Sequence, residues 1–324
     1  MSKLDTAVQS KIDQWLNGSY DDETKAAIQQ KLDDGKYDEL TDAFYKDLEF
    51  GTGGLRGIMG IGSNRVNKYT FGIATQGLSN FLKNEYPDTE LKVAIAHDCR
   101  NNSEKLAKVV ADVFSANGIH VYFFDALRPT PELSYAIREL GCQSGVMLTA
   151  SHNPKEYNGY KAYGADGGQF VAPYDKMVME EVQKIGSVDE VNFDGDENLI
   201  ESIGKEMDEK YLKALTDLSV SKDAIKRQKD LGIVFSPIHG TSRELVPEVL
   251  KRYGFENVNL VEEQMTVDGD FPTVVYPNPE EKEALDMALN KAKEIDAELV
   301  MATDPDADRV GIAVKNLEGD FVLL

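Results

Sequence analysis

The residues of this chain best suited to chemistry are one hydroxyl and three carboxylates that stand far apart in sequence. Ser151 lies within Thr149-Ala-Ser-His-Asn-Pro154, and Asp304, Asp306 and Asp308 alternate within Asp304-Pro-Asp-Ala-Asp-Arg309. The aspartates follow the apolar run 297–303, so a turning backbone can aim all three at one cation. Hard oxygen ligands of this kind suit six-coordinate Mg²⁺. A phosphorylated Ser151 at the open position of that cation supplies a further ligand and the group to be moved, which is metal-assisted phosphoryl transfer through a serine. Each half also has a plainer reading. Asp-x-Asp-x-Asp marks solvated acidic turns, and the Ser151 segment is also a polar loop before a proline. Their joint occurrence, each behind a strand-like apolar run, favours the chemical reading.

Alternating elements must position these groups. From residue 91 the pattern predicts a strand over 91–96, a helix over 104–117 ended by Gly118, a strand over 120–124, a helix over 131–140 and a strand over 144–148 with Ser151 just beyond. Helices between strands imply a largely parallel sheet with right-handed crossovers, and ligand sites in such sheets gather at the carboxyl ends of strands. The first fifty residues read as acidic helices with Ile12, Trp15 and Leu16 on one face, a cover on the first domain. Residues 189–201, acidic and without pattern, read as a surface excursion before a linking helix over 205–218. A second unit then starts near Ala224 with strand 232–235, helix 243–253 closed by Gly254, strand 257–261, helix 280–295, strand 298–303 and a returning strand 310–314. Residues 266–279, rich in proline, glycine and aspartate, read as a long surface connection.

A chain of 324 residues is expected to form two or more domains, since single cores rarely grow past roughly 250 to 300 residues. The formal charge of −22, from 57 acidic and 35 basic residues, repels nucleic acid and anionic membrane, so neither is expected as a partner. An anionic ligand must instead be drawn in by a local basic patch, for which Arg56, Arg100, Lys161 and Arg309 are the candidates. Cys99 and Cys142 lie in or beside strands without metal-ligand spacing, which predicts buried free thiols in a reducing cytoplasm. Residues 1–16 mix charge into their apolar positions, unlike a signal peptide, and no segment is long enough to span a bilayer.

Four segments carry a resemblance: Gly51-Thr-Gly-Gly-Leu-Arg-Gly57, Thr149 through Lys161, Ser236-Pro-Ile-His-Gly240 and Asp304 through Arg309. In this order they resemble the motifs of the α-D-phosphohexomutases, the family of phosphoglucomutases and phosphomannomutases, and the likeness covers nearly the whole chain. The early Gly-Thr-Gly-Gly and the Lys155-Glu156-Tyr157 insertion look most like the phosphoglucomutase 2 and phosphopentomutase branch. The resemblance implies an α/β fold of tandem three-layer α/β/α domains with mainly parallel sheets. Residues 1–204 would form the first domain, with N-terminal helices and the catalytic serine loop; 205–316 the second, with the metal-binding aspartate loop; and 317–324 the start of a truncated third. Family members continue with a sugar-reading domain and a phosphate-clamping domain, so this chain is expected to be part of a longer protein, binding Mg²⁺ but with little turnover of its own.

The implied activity is a mutase that moves phosphate between the C1 and C6 (or C5) hydroxyls of a sugar through a phosphoserine enzyme and a bisphosphate intermediate. Phosphoglucomutase is the leading expectation; phosphomannomutase, phosphopentomutase or a non-catalytic phosphosugar- or metal-binding fragment are the alternatives. The substrate would be a sugar monophosphate and the activator glucose 1,6-bisphosphate or its equivalent. By the same resemblance Ser151 donates phosphate and, with Asp304, Asp306 and Asp308, holds Mg²⁺. Lys161 takes the position of a general base, a role open to it if neighbouring cations or burial lower its pKa. Arg56 offers a fork for phosphate and Arg309 stands at the catalytic phosphate. His152 either bonds the phosphate or sugar oxygen or caps its loop, His239 and Gly240 line the site, the 266–279 loop lies near the cleft, and His97 and His120 are structural. A phosphatase with an aspartate nucleophile is a further reading of Asp-x-Asp, but it leaves the Ser151 segment without a role.

Overall fold

Two rounds of strand and helix alternation, each ending in one of the chemically promising loops, organise the chain. The computed structural model describes residues 4–49, 51 and 54–324, so Thr52 and Gly53 of the glycine-rich segment lie outside the described residues. Helices α1 (Thr6–Asn17), α2 (Asp22–Asp33) and α3 (Tyr37–Phe44) open the chain, followed by β1 (Gly54–Ile58), α4 (Lys68–Glu85), β2 (Lys92–His97), α5 (Ser103–Ala116), β3 (His120–Phe124), α6 (Thr130–Glu139), β4 (Ser144–Leu148), β5 (Tyr157–Gly164), α7 (Tyr174–Gln183) and β6 (Ile200–Ile203). Helices α8 (Lys205–Asp217) and α9 (Lys222–Arg227) lead to β7 (Ile233–Ser236), α10 (Leu245–Tyr253), β8 (Val258–Leu260), α11 (Lys282–Glu294), β9 (Leu299–Thr303), β10 (Val310–Lys315) and β11 (Phe321–Leu323).

The first sheet has the order β1-β5-β4-β2-β3-β6, with β4, β2, β3 and β6 mutually parallel and β1 and β5 antiparallel to their neighbours. Its central strands are apolar on both faces, as strands covered by helices on two sides must be. Along β2, Val93 and Ile95 join the core under α4, α5 and α7, whereas the smaller Ala94 and Ala96 face Leu133, Ala136 and Ile137 of α6 and Met207 of α8. The second sheet, β11-β10-β9-β7-β8, is parallel over β9, β7 and β8 and antiparallel at β10 and β11. Its core is built from Val234, Val300 and Ala302 against Leu285, Ala288 and Leu289 of α11. The result is two three-layer α/β/α units with mixed, mostly parallel sheets.

The opening helices form the expected cover. Val8, Ile12 and Trp15 of α1 pack with Ile28, Leu40 and Phe44 around Tyr69 of α4. Gly118 (φ +76°) and Gly254 (φ +110°) follow α5 and α10 in the left-handed conformation that ends a helix without a Cβ penalty. Both cysteines are buried and unpaired. Among the described residues no helix is long and apolar enough to cross a membrane.

Two expectations are corrected. The segment 189–201 is no mere excursion, because its end enters β6, which pairs in parallel with β3 at the sheet edge. An edge strand needs little apolar surface, and the exposed Glu201 and Ser202 hid it. Residues 266–279 are not simply a surface connection either: Phe271 is buried, and a Cβ on Gly269 would sit 2.5 Å from the backbone nitrogen of Asn101.

Candidate active site

Ser151 stands three residues beyond β4 with φ +54°, a left-handed conformation that a residue with a Cβ adopts only when its surroundings enforce it. Its N–H donates to Thr149 Oγ1 at 2.8 Å, and its Oγ donates to Asp304 Oδ2 at 2.6 Å, joining loops 153 residues apart. His152 Nδ1 lies 3.3 Å from the same Oγ. Burial, with Arg309 and Arg56 nearby, lowers the His152 pKa, so at neutral pH the imidazole is an uncharged hydrogen-bonding group.

The aspartate loop joins β9 to β10, and Ala307 at φ +55° tightens it. One carboxylate oxygen from each of Asp304, Asp306 and Asp308 lies within 4.8 Å of the others, with Asp304 and Asp306 buried and Asp308 exposed. Lys161, on β5, takes the cation's part: its Nζ donates to Asp306 Oδ2 at 2.6 Å and to Asp308 Oδ2 at 2.8 Å. Burial and the two neighbouring aspartates push the Asp304 carboxyl up to about 8. Burial opposes ionisation of Asp306 as well, but Lys161 and Thr130 overcome it and hold that carboxyl below its usual range. Asp306 Oδ1 is buried and has no hydrogen-bond partner among the described residues. Clustered buried carboxylates with one orphaned oxygen are a donor set that a divalent cation would satisfy, and with the Ser151 hydroxyl all four donors are hard oxygens.

The same contacts bear on Lys161. Burial works to deprotonate it, yet Asp306 and Asp308 outweigh burial and raise its pKa well above the ordinary lysine value. In this arrangement it is an ammonium, so service as a base requires those carboxylates to be engaged elsewhere. Arg56, exposed on β1, donates to Asn153 Oδ1 at 3.1 Å, which sets it beside the serine loop. Arg309 donates its backbone N–H to Asp304 Oδ1 at 3.1 Å while its guanidinium, partly exposed, meets Glu280 at 2.9 Å. Ser151, His152, Arg56, Lys161, Arg309 and the three aspartates are therefore gathered at one place.

Other candidates have different duties. The buried Arg100 spends its guanidinium on backbone carbonyls of the serine loop and is not part of a basic patch open to an anion. His239 bonds Thr266 O through Nδ1 at 2.7 Å and Thr273 Oγ1 through Nε2 at 2.8 Å, so it braces the 266–279 loop. Gly240 lets that strand end approach the aspartate loop, since a Cβ there would lie 2.6 Å from Pro305 Cα. His97 is buried against Asp98 O, and His120 faces Glu201. Thr130, at the start of α6, had no signal in the sequence, yet its Oγ1 donates to Asp306 Oδ2 at 2.8 Å and its N–H to Asp306 O at 2.9 Å. The Thr-Pro-Glu run announces a helix start, but nothing in it points to a partner 176 residues away.

Two α/β/α units that close a serine loop on a triple-aspartate loop define a class of α/β folds with a hydroxyl set against a metal-ready carboxylate cluster, and comparison with known proteins gives the class its family. Residues 47–189 match the family model for phosphoglucomutase/phosphomannomutase alpha/beta/alpha domain I, and residues 209–319 match that for domain II. The chain belongs to the α-D-phosphohexomutase family, the family of enzymes that includes phosphoglucomutase and phosphomannomutase. It is 38% identical over 292 residues to the phosphoglucomutase of Staphylococcus haemolyticus, covering 87% of this chain and 52% of that protein. It is 35% identical over 308 residues to the phosphoglucomutase of Staphylococcus aureus strain MRSA252, covering 94% and 54%. A crystal structure from Thermus thermophilus, described as a phosphomannomutase, superposes with a TM-score of 0.71 at 25% identity over 85% of this chain and 58% of that one. The open form of Paramecium parafusin, a phosphoglucomutase, shares the fold with a TM-score of 0.66 at 20% identity, over 86% and 55%. The chain thus spans about half the length of the curated relatives it matches.

Proposed function

We propose that this chain supplies the phosphoserine and metal-binding part of a phosphoglucomutase, with Ser151 as the carrier of the phosphate. The observation that carries this reading is the 2.6 Å hydrogen bond from Ser151 Oγ to Asp304 Oδ2, which places the hydroxyl of the loop against the metal-ready carboxylates. We read residues 1–204 as the first domain and 205–316 as the second; residues 317–324, expected to start a third, carry β11, which pairs with β10 of the second sheet.

In the proposed reaction the bond from phosphorus to Ser151 Oγ breaks as a bond forms to the free hydroxyl of a sugar monophosphate. The hydroxyl proton passes to Lys161, whose amine must be free of Asp306 and Asp308 at that moment. The resulting bisphosphate turns over and returns its other phosphate to Ser151, so that the net change is a moved phosphate. His152 donates to a phosphate or sugar oxygen, and Arg56 and Arg309 neutralise charge on the phosphoryl oxygens. Mg²⁺, held by Asp304, Asp306, Asp308 and an oxygen on Ser151, would offset the charge that builds on the transferred group. Glucose 1,6-bisphosphate is the expected activator because it can load phosphate onto Ser151.

The staphylococcal relatives' names support glucose phosphate as the substrate; the name of the Thermus protein keeps phosphomannomutase as the second reading. The phosphopentomutase-branch likeness rests on the early Gly-Thr-Gly-Gly and on Lys155-Glu156-Tyr157. Two buried free thiols suit a reducing compartment and support a cytoplasmic location. The test is intact-mass and peptide mass spectrometry before and after incubation with glucose 1,6-bisphosphate and Mg²⁺. One phosphate on Ser151, absent from Ser151→Ala, is the expected result. A chain that takes up phosphate elsewhere, for instance as an acyl phosphate on Asp304, refutes this assignment.

A further inference from the structure

Arg100 lies three residues beyond β2, and its side chain is wholly buried. Its Nη1 donates to Pro154 O at 2.8 Å and to Tyr157 O at 3.1 Å; its Nη2 donates to Ser151 O at 2.6 Å and to Asn153 O at 2.5 Å. Four carbonyls of the serine loop are thus collected on one planar fork, a task for which the single point of a lysine ammonium is poorly shaped. The fork is itself fixed. Asp98 Oδ2 lies 3.3 Å from Arg100 Nε, and Asp98 Oδ1 accepts the Arg100 N–H at 2.9 Å and the Ser103 hydroxyl at 2.7 Å, tying it to the first turn of α5.

The far side of the guanidinium is closed by the other unit. Phe271, from the segment between β8 and α11, places its ring centroid 5.1 Å from Arg100 Cζ. Its backbone is also left-handed, at φ +49°. The approach is tight, since a Cβ on Gly269 would meet Asn101 N at 2.5 Å and Cys99 O at 2.9 Å. Left-handed residues with a Cβ persist only where neighbours over-determine them, and Ser151, Phe271 and the clamp between them form one connected set.

We propose that Arg100 is a positioning residue for phosphoryl transfer: it clamps residues 151–157 in the left-handed turn that presents Ser151 Oγ to Asp304, and Phe271 covers the clamp from the second unit. The role at Ser151 rests on the phosphoserine reading above; the clamp itself does not.

The experiment compares the wild-type chain with Arg100→Lys and Phe271→Ala by amide hydrogen exchange, Mg²⁺ titration and phosphate uptake from glucose 1,6-bisphosphate. In the wild type, the Asn153 and Tyr157 amides, bonded to Ala150 O and Pro154 O, are expected to exchange slowly for loop residues. In Arg100→Lys, exchange over 151–157 should quicken at least about tenfold while β3 and the second sheet keep their rates. Phosphate uptake should fall at least about tenfold with the Mg²⁺ dissociation constant held within about threefold, a split that general destabilisation does not give. Phe271→Ala should move exchange in the same segment and direction. Unchanged loop exchange in a folded Arg100→Lys, or acceleration spread evenly over the chain, overturns the proposal. If Arg100→Lys does not fold, fast wild-type exchange in the loop or an unmoved loop in Phe271→Ala overturns it instead. A wild type that never accepts phosphate refutes the phosphoserine reading and leaves the exchange data to decide the clamp.

Discussion

Asp304 and Asp306, buried side by side with the exposed Asp308 next to them, cannot all stay ionised without a cation, and in this structure the Lys161 ammonium is that cation. The charge is shared unevenly: the Asp304 carboxyl rises to about 8 while Asp306, bonded to Lys161 and Thr130, falls. Asp306 therefore brings a ready negative charge and an Oδ1 without a partner among the described residues to any metal. Asp306→Asn keeps the shape and removes the charge. It is expected to weaken Mg²⁺ binding at least about tenfold, the lower end of what even an outer-shell loss costs. Isothermal titration calorimetry measures this directly, and an unchanged affinity would move the cation away from the aspartate loop.

Strand β5 is the element that brings the chemistry together, for it carries Lys161 and lies between β1, with Arg56, and β4, which leads to Ser151. Gly159 makes the close fit possible: a Cβ there would sit 2.5 Å from Thr149 O and 2.8 Å from Leu55 O, both backbone atoms that cannot turn aside. Gly159→Ala should cost about 1–3 kcal/mol by overpacking and lower phosphate uptake at Ser151, measured by denaturant unfolding and mass spectrometry. A fully stable, fully active variant would mean that the strands can separate freely. This strand also shows where sequence reading stops. The apolar strands β2, β3, β4, β7 and β9 and the helices between them were legible from their periodicity and closing glycines, and the meeting of the Ser151 loop with the aspartate loop was legible from motif and position. Tyr-Asn-Gly-Tyr-Lys-Ala-Tyr-Gly does not read as a strand, because its place is secured by neighbours on both sides rather than by its own propensity. Thr130 and the clamp formed by Arg100 were equally hidden, since their value lies in partners that only the fold supplies. Between elements, Glu132 of α6 is wholly buried beside Asp208 of α8, and in its protonated form it hydrogen-bonds that carboxylate. Burial first, then the Asp208 carboxylate, lift its pKa from 4.5 to about 9 against the pull of Arg128, with Asp125 adding to the rise. A carboxyl raised on folding keeps its proton in the native state, so its contribution to stability is full below about pH 4.5 and is lost as pH climbs towards 9. Glu132→Gln removes that loss. Its gain in thermal stability over wild type should be small at pH 5 and on the order of a few kcal/mol at pH 8; an equal gain at both pH values would show that the carboxyl is already ionised when folded.

The whole molecule carries a net charge of −22 and yet places four cationic side chains, Arg56, Arg100, Lys161 and Arg309, around one narrow junction between its two sheets. Excess negative charge opposes compaction everywhere, whereas the carboxylate cluster opposes it at one point, and salt separates the two. Raising ionic strength from about 0.01 M to about 0.15 M shortens the screening length from roughly 30 Å to 8 Å, so NaCl alone should raise the melting temperature by relaxing the diffuse repulsion. MgCl₂ at matched ionic strength screens equally and also binds, and a ligand at 100 times its dissociation constant adds about 2.7 kcal/mol to the folded state. The extra stabilisation by Mg²⁺ should fall to about half or less in Asp306→Asn while the NaCl effect stays. Because Ser151 with Asp304, Lys161 with Asp306 and Thr130 with Asp306 all bridge the two units, that extra term should appear as one shifted transition and not as the stabilisation of the second unit alone. Differential scanning calorimetry resolves the two cases: a split transition on adding Mg²⁺ would show that the metal loop is loaded without tightening the serine loop against it, and the site would then have to be closed by substrate.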